Sequence, residues 1–83
     1  MPCVYILKSQ KSEKYYVGSS RENDAKTRVE AHNSGKIRST KYGKPWKLIN
    51  EEYFNSYTIA RKRELFLKSG KGRGIIKERW PSG

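Results

Sequence analysis

Two tyrosines, an arginine, a histidine and a glutamate of this chain are residue types that phosphodiester chemistry can use. Tyr5 and Tyr16 lie in two short apolar stretches, Arg28 and His32 follow four residues apart, and Glu64 comes later. A phenol can take up a proton, a guanidinium can bind two phosphate oxygens, and an imidazole can orient a phosphate or share in proton transfer. A carboxylate can hold a divalent cation. These groups indicate a small nuclease if the fold brings them together.

The two tyrosines are predicted on one face of a β-hairpin. Residues 3–7 and 15–18 have the β-branched and aromatic content of strands. Pairing Tyr5 with Tyr16 leaves Ser9 to Ser12 as a polar loop of common length. Because side chains alternate across a strand, Tyr5 and Tyr16 then share a face. That face also holds Leu7, and the opposite face holds Val4, Ile6, Tyr15 and Val17. Tyrosines that serve only for packing are the alternative interpretation.

A helix must carry the arginine and the histidine. We predict it from Asn23 or Asp24, either of which can cap it, to about Ser34. The spacing of four places Arg28 and His32 on one face. The apolar stripe that packs this helix on the sheet consists of Ala25 and Val29.

Glu64 is an unusual residue for its place in a second helix, predicted over residues 57–69. It lies in the same stripe as Ala60 and Leu67, which should face the protein interior. A carboxylate is rarely buried without a partner. Either Glu64 pairs with a basic residue such as Arg61, or it is held inward to bind a cation, and both alternatives stay open.

The charge of the chain predicts a polyanionic partner. Nineteen Lys and Arg residues against eight acidic ones give a net charge of +11, which favours nucleic acid. The basic residues are spread along the chain, as in a folded binding face. Residues 36–47 are predicted to form a basic loop, and residues 71–74 a flexible basic segment, both suited to phosphates. The predicted DNA-binding residues are Lys26, Arg38, Lys41, Lys44, Lys68, Lys71 and Arg73.

Size and composition predict one small domain over residues 1–83. A third strand at about residues 48–54 and a last short helix at about residues 75–79 complete the order β-β-α-β-α-α. The single cysteine, Cys3, excludes an internal disulfide and a Cys-based zinc cluster, and indicates a reducing compartment. Because no apolar run approaches the length of a membrane span, we expect a soluble, cytoplasmic protein.

Several segments resemble the GIY-YIG endonucleases, and more closely their short stand-alone members. The signature triplets correspond to Cys3-Val4-Tyr5 and Tyr16-Val17-Gly18, with the tyrosines eleven positions apart. Residues 28–35, 44–48 and 60–64 are similar to the corresponding stretches of the stand-alone members, so the resemblance runs from position 2 to about position 77. It implies an α+β fold with a three-stranded antiparallel sheet flanked by helices. It also implies hydrolysis of DNA with one divalent ion, Mg²⁺ or Mn²⁺.

The resemblance assigns a role to each candidate residue. Tyr5 and Tyr16 match the signature tyrosines, Arg28 the helix arginine, His32 the histidine that often follows it, and Glu64 the metal-binding glutamate. One tyrosine would take a proton from the attacking water while the other positions it, and the sequence does not rank them.

This chain departs from the family pattern at three places. Cys3 stands where the family has its first glycine, and no asparagine follows Glu64. The interval from Tyr16 to the helix arginine is two residues longer than usual, so Lys26 or Arg21 are alternatives to Arg28. The predicted activity is structure-selective or nonspecific DNA cutting in repair or recombination. The alternatives are a non-catalytic basic module that binds nucleic acid and an accessory subunit that acts through a protein partner.

Overall fold

A three-stranded antiparallel sheet forms the centre of the molecule in the computed structural model, which describes residues 1–22 and 24–81. The strands are β1 (Cys3–Ser9), β2 (Tyr15–Ser20) and β3 (Trp46–Tyr53), in the order β2-β1-β3. The helices are α1 (Ala25–Asn33), α2 (Tyr57–Lys68) and α3 (Gly70–Arg79), and a short 3₁₀ helix spans Arg38–Gly43. The predicted α+β fold and element order are confirmed, with the 3₁₀ helix added inside the predicted basic loop.

The central strand β1 is buried on both faces because helices cover both sides of the sheet. Tyr5 and Leu7 pack with α1, whereas Val4 and Ile6 pack with α2 and α3, and all four are at most 1% exposed. Cys3 is fully buried on the α1 side, as a small packed residue. The predicted division of side chains between the two faces is therefore confirmed.

The predicted hairpin register is wrong by two residues. Tyr5 pairs with Gly18, and Tyr16 pairs with Leu7. The Ser9 N–H donates to the Lys14 carbonyl, so the loop is residues 10–13 and not residues 9–12. The Ser9 hydroxyl accepts hydrogen bonds from two loop N–H groups and thereby holds this turn. Because side chains alternate with a period of two, the shift left every residue on its predicted face.

Side-chain caps begin the two helices that carry the candidate residues. The Asp24 carboxylate accepts a hydrogen bond from the Thr27 N–H at 2.8 Å and caps α1. The alternative cap, Asn23, lies outside the described residues. Ala25 is fully buried and Val29 half-buried against the α1 side of the sheet, as predicted. Ser56 caps α2 by accepting from the N–H of the third residue after it.

The predicted flexible segment at residues 71–74 is helical, so that prediction is wrong. Helix α3 begins at Gly70, and the Ser69 hydroxyl caps it by accepting from the Gly72 N–H. A Cβ at Gly72 would lie 2.5 Å from the Leu67 Cα of α2. Glycine therefore permits close contact between the two helices, and the burial gained there outweighs the poor helix propensity of glycine.

Within the described ranges, no helix has both the length and the apolar character needed to cross a lipid bilayer.

Candidate active site

Four of the five predicted catalytic residues meet on the α1 side of the sheet. The Tyr5 hydroxyl lies 3.0 Å from His32 Nε2, and Arg28 Nε donates to the same hydroxyl at 3.4 Å. The Tyr16 ring packs on the imidazole with 4.9 Å between ring centroids. Residues that are 27 positions apart in the chain thus share one cluster, because β1 and β2 present Tyr5 and Tyr16 toward the face of α1 that carries Arg28 and His32.

The hydrogen bonds of this cluster have a direction. His32 Nδ1 lies 2.7 Å from the Thr40 hydroxyl, which in turn donates to the Ile37 carbonyl. If Nδ1 carries the imidazole proton, Thr40 accepts it, and Nε2 is left to accept the Tyr5 O–H. The Tyr5 oxygen then accepts from Arg28, so each hydrogen in the series has an acceptor. The opposite direction leaves the Tyr5 hydrogen without one among these bonds, which would be costly for a buried group.

The Tyr5 proton stays on the phenol in the free protein. Burial, with the positive charge of Arg28, lowers the pKa of His32 to about 4. Burial raises the pKa of Tyr5 above its ordinary value of 10, although the hydrogen bond from Arg28 opposes that shift. Moving the proton from Tyr5 to His32 is therefore unfavourable, because the buried phenol is a weaker acid and the buried imidazole a weaker base than the free side chains. Tyr5 consequently holds Arg28 and His32 in place as a neutral phenol.

Tyr16 is the more accessible of the two tyrosines. It is half-buried, whereas Tyr5 is 1% exposed. Its ring lies between His32 and Trp46, and the Trp46 indole donates to the Thr40 carbonyl at 2.9 Å. Within residues 1–22 and 24–81, no side chain or backbone group bonds the Tyr16 hydroxyl. That hydroxyl is therefore free to meet a substrate or a water molecule.

Gly18 is packed beneath the Tyr5 ring. A Cβ at this position would lie 2.5 Å from the Tyr5 hydroxyl oxygen, closer than real Cβ atoms approach. The second signature glycine thus makes room for the first signature tyrosine on the neighbouring strand. The observed pairing of Tyr5 with Gly18 depends on this space.

Glu64 lies on the other face of the sheet, on α2. It is 4% exposed, in agreement with its predicted inward position. Its Oε1 accepts from Ser19 and from Arg61, each at 2.5 Å, and Lys68 donates to Oε2 at 2.8 Å. Burial opposes ionisation, but the hydrogen bonds from Lys68, Ser19 and Arg61 outweigh it and hold the pKa of Glu64 below its ordinary range. Of the two sequence alternatives, the free protein therefore contains the ion pair with Arg61.

The structure does not bring Glu64 into contact with the tyrosine cluster. The connection runs through the edge strand β2, where Gly18 contacts Tyr5 and the next residue, Ser19, donates to Glu64. Consecutive side chains of a strand point to opposite faces. The two parts of the candidate site therefore lie on either side of one edge strand.

A family model described as the GIY-YIG catalytic domain matches residues 1–77. The chain belongs to this family. Its members are endonucleases that act on DNA and generally use divalent metal ions. No curated protein and no solved structure matched the chain.

A divalent ion in this GIY-YIG domain would bind at Glu64 only if a neighbouring cation moved away. Both carboxylate oxygens are engaged, and no group of three or more His, Cys, Asp or Glu side chains in the described ranges is arranged to hold a metal. The Arg61 and Lys68 side chains are 49% and 44% exposed, so either can turn to solvent. Mg²⁺ commonly takes one or two protein carboxylates and completes its shell with water and phosphate oxygens. A single released carboxylate fits that donor set.

Of the three basic residues considered for the helix arginine, Arg28 is the one that contacts Tyr5. Arg21 stacks over the Tyr57 ring, 4.4 Å from its centroid, and Lys26 is exposed on α1. The geometry therefore gives Arg28 the position next to the signature tyrosines.

The seven predicted DNA-binding residues are all exposed and fall into two groups. Lys26, Arg38, Lys41 and Lys44 lie on α1 and in the segment between α1 and β3. Lys68, Lys71 and Arg73 lie at the end of α2 and on α3. Of these seven residues, Lys68 contacts a candidate site residue, Glu64.

Sequence reasoning missed Thr40, Ser19 and the pairing of Lys68 with Glu64. The last of these had a signal, because Lys68 follows Glu64 by four residues, the ordinary helical spacing for an ion pair. Thr40 belongs to a short 3₁₀ helix inside a polar loop. No periodic pattern marks such a residue as a partner of His32.

Proposed function

We propose that the chain is an endonuclease that hydrolyses DNA phosphodiester bonds with Mg²⁺ or Mn²⁺ bound at Glu64, in DNA repair or recombination. The cluster of Tyr5, Tyr16, Arg28 and His32 carries this proposal. A basic module that only binds nucleic acid needs no buried phenol and imidazole held in one hydrogen-bonded series. The family of the chain and its net charge of +11 point the same way.

Arg28 is the group that binds the scissile phosphate in this proposal. Its Nε is engaged by Tyr5, which leaves the two terminal nitrogens to bind two phosphate oxygens. The Arg28 pKa is raised by the hydrogen bond to Tyr5, so the guanidinium stays charged throughout. Tyr5 and His32 orient it, and Thr40 orients His32.

Tyr16 is the group that meets the attacking water. Its side chain is half-buried and packs on His32, whereas the Tyr5 hydroxyl is buried and bonded to His32. A free tyrosine is ionised only to about one part in a thousand at pH 7. A general base must be deprotonated when the water attacks, and the cationic Arg28 side chain belongs to the same cluster.

Glu64 is the residue that would hold the metal ion. When bound, such an ion neutralises charge on the phosphoryl oxygens and supports departure of the leaving oxygen. Arg61 and Lys68 keep the buried carboxylate ionised until then, because each donates to it.

A second candidate function is a basic module that holds DNA without cutting it. Glu64 favours this candidate, because both of its oxygens already have cationic partners in the free protein. If neither partner leaves, Glu64 is a structural residue of α2 and the tyrosine cluster packs without catalysis.

Nicking of supercoiled plasmid and cutting of flapped DNA, with Mg²⁺ or Mn²⁺, separate the two candidates. Glu64→Ala should abolish cutting, whereas the matched variant Glu78→Ala, which removes an exposed carboxylate of α3, should cut like the parent chain. Tyr16→Phe should lower the rate without lowering stability. Cutting that persists in Glu64→Ala refutes the assignment of the metal ligand. Binding with no cutting under either ion supports the second candidate.

A further inference from the structure

A groove of about 730 Å³ lies between the edge strand β2 and the helices α2 and α3. Its volume is in the range of small-molecule sites. We call it the β2 groove. Its lining combines apolar core residues, among them Val17, Leu67 and Ile76, with basic residues, among them Lys14, Arg73 and Lys77.

The wall of the β2 groove is apolar and fixed. Val17, Leu67 and Ile76 belong to the core and are at most 7% exposed. The Tyr15 hydroxyl donates to the Trp80 carbonyl, which ties the strand to the end of α3. A flat apolar group could therefore lie against this wall without rearrangement of the core.

The rim of the β2 groove is strongly basic. Four Lys or Arg side chains line it, against the single carboxylate of Glu13. Lys68 pairs with Glu64, but within the described ranges Lys14, Arg73 and Lys77 form no ion pair. An apolar wall beneath uncompensated cations is complementary to an anion that carries an aromatic ring.

The β2 groove also borders the Glu64 part of the candidate active site. Lys68 lines the groove and donates to Glu64, whereas the Tyr16 ring packs on His32 on the other face of the sheet. An occupant would therefore lie next to the proposed metal ligand.

We propose that the β2 groove receives one unpaired nucleotide of a DNA substrate, with the base against the apolar wall and the flanking phosphates at the basic rim. Bases of an intact duplex are stacked inside the helix and cannot reach such a wall, whereas an unpaired base can. The inference rests on the proposed function and names its substrate class: duplex DNA that contains a gap, flap or bulge. The chain then selects DNA by local loss of pairing.

Fluorescence anisotropy without metal tests this inference separately from catalysis. The probes are a fully paired duplex, the same duplex with one unpaired nucleotide, and the latter with an abasic residue at the unpaired position. Base stacking on aromatic and apolar side chains predicts about 5-fold or greater preference for the unpaired nucleotide over the paired duplex. The abasic probe keeps the phosphates and removes the base, so its affinity should fall to that of the paired duplex.

Charge reversal on the protein provides the second arm. The double variant Arg73→Glu/Lys77→Glu should lose the preference for the unpaired nucleotide. The matched double variant Lys47→Glu/Lys62→Glu makes the same change in net charge at exposed residues outside the β2 groove. It should bind all probes more weakly but keep the preference.

Three results would overturn the inference. One is equal affinity for the paired and unpaired probes, and another is undiminished affinity for the abasic probe. The third is dimerisation of the parent chain at assay concentration that Arg73→Glu/Lys77→Glu abolishes, since the occupant would then be a second copy. Preference for the unpaired nucleotide without any cutting would contradict only the proposed function, and cutting without preference only this inference.

Discussion

Lowering the pH from 7 to 5 should destabilise the folded protein by about 2 kcal/mol through His32 alone. His32 is fully buried, and its pKa of about 4 lies below the ordinary value of 6.5. As the pH falls below 6.5, the unfolded chain takes up a proton that the folded protein refuses until about pH 4. The stabilisation that comes from the neutral His32 is therefore complete above pH 6.5 and is lost as the pH falls toward 4. The full loss is about 3 kcal/mol.

Urea unfolding followed by tryptophan fluorescence at pH 7, 6 and 5 measures this loss. The ionic strength should be high and constant, because a net charge of +11 makes self-repulsion sensitive to salt. His32 is the only histidine, so His32→Gln removes all imidazole titration while it keeps a hydrogen-bonding side chain. In this variant, the part of the pH dependence of the unfolding free energy that comes from His32 should be absent. The carboxylates should contribute equally to both proteins.

Equal slopes of the unfolding free energy against pH in the parent chain and in His32→Gln would refute the argument. An NMR titration of the folded parent chain gives an independent answer, because it needs no variant to fold. A midpoint near 6.5 for His32 would mean that the imidazole is hydrated. The donor and acceptor roles assigned to Tyr5, His32 and Thr40 would then be wrong.

Further substitutions test the packing and the hydrogen bonds of the same regions. Gly18→Ala should cost about 1–3 kcal/mol of unfolding free energy, because the added methyl displaces the Tyr5 ring; unchanged stability would show that Tyr5 can move freely. Thr40→Val should cost about 1–3 kcal/mol by leaving the imidazole N–H without an acceptor, and Thr40→Ser should restore most of it. Gly72→Ala should destabilise α3 against α2 by a similar amount, whereas Gly74→Ala, which has open space at its Cβ, should be neutral or stabilising by up to about 1 kcal/mol in thermal unfolding. DNA affinity should fall with salt by about 0.9 logarithmic units per tenfold increase for each phosphate neutralised, and an affinity independent of salt would contradict the basic binding face.

The sequence was sufficient to predict the faces of the sheet but not its register. Alternation with a period of two is visible in residues 3–7 and 15–18. A shift by two residues leaves that alternation unchanged, so the pattern cannot choose between pairing Tyr5 with Tyr16 or with Gly18. The choice depends on turn hydrogen bonds to Ser9 and on the space above Gly18, which are tertiary features.

The candidate site was predictable in its residue types and only partly in its partners. The spacing of Arg28 and His32 was enough to place both on one helix face, and the apolar stripe of α2 was enough to place Glu64 inward. The partner of His32 could not be predicted, because Thr40 lies in an irregular segment that the fold brings back to α1. Local glycine content likewise predicted a flexible segment around Gly72, where contact with α2 stabilises a helix.

Burial of β1 on both sides has a consequence for how this molecule can change during evolution. Every side chain from Cys3 to Leu7 is at most 1% exposed, and adjacent ones belong to opposite layers. A replacement in this strand therefore disturbs either the side of the sheet that carries Tyr5 and His32 or the side that α2 and α3 cover. No position from Cys3 to Leu7 is exposed enough for a change that disturbs neither side. Saturation mutagenesis should show this strand as a continuous intolerant band, so natural variation in specificity has to accumulate in the outer helices and loops.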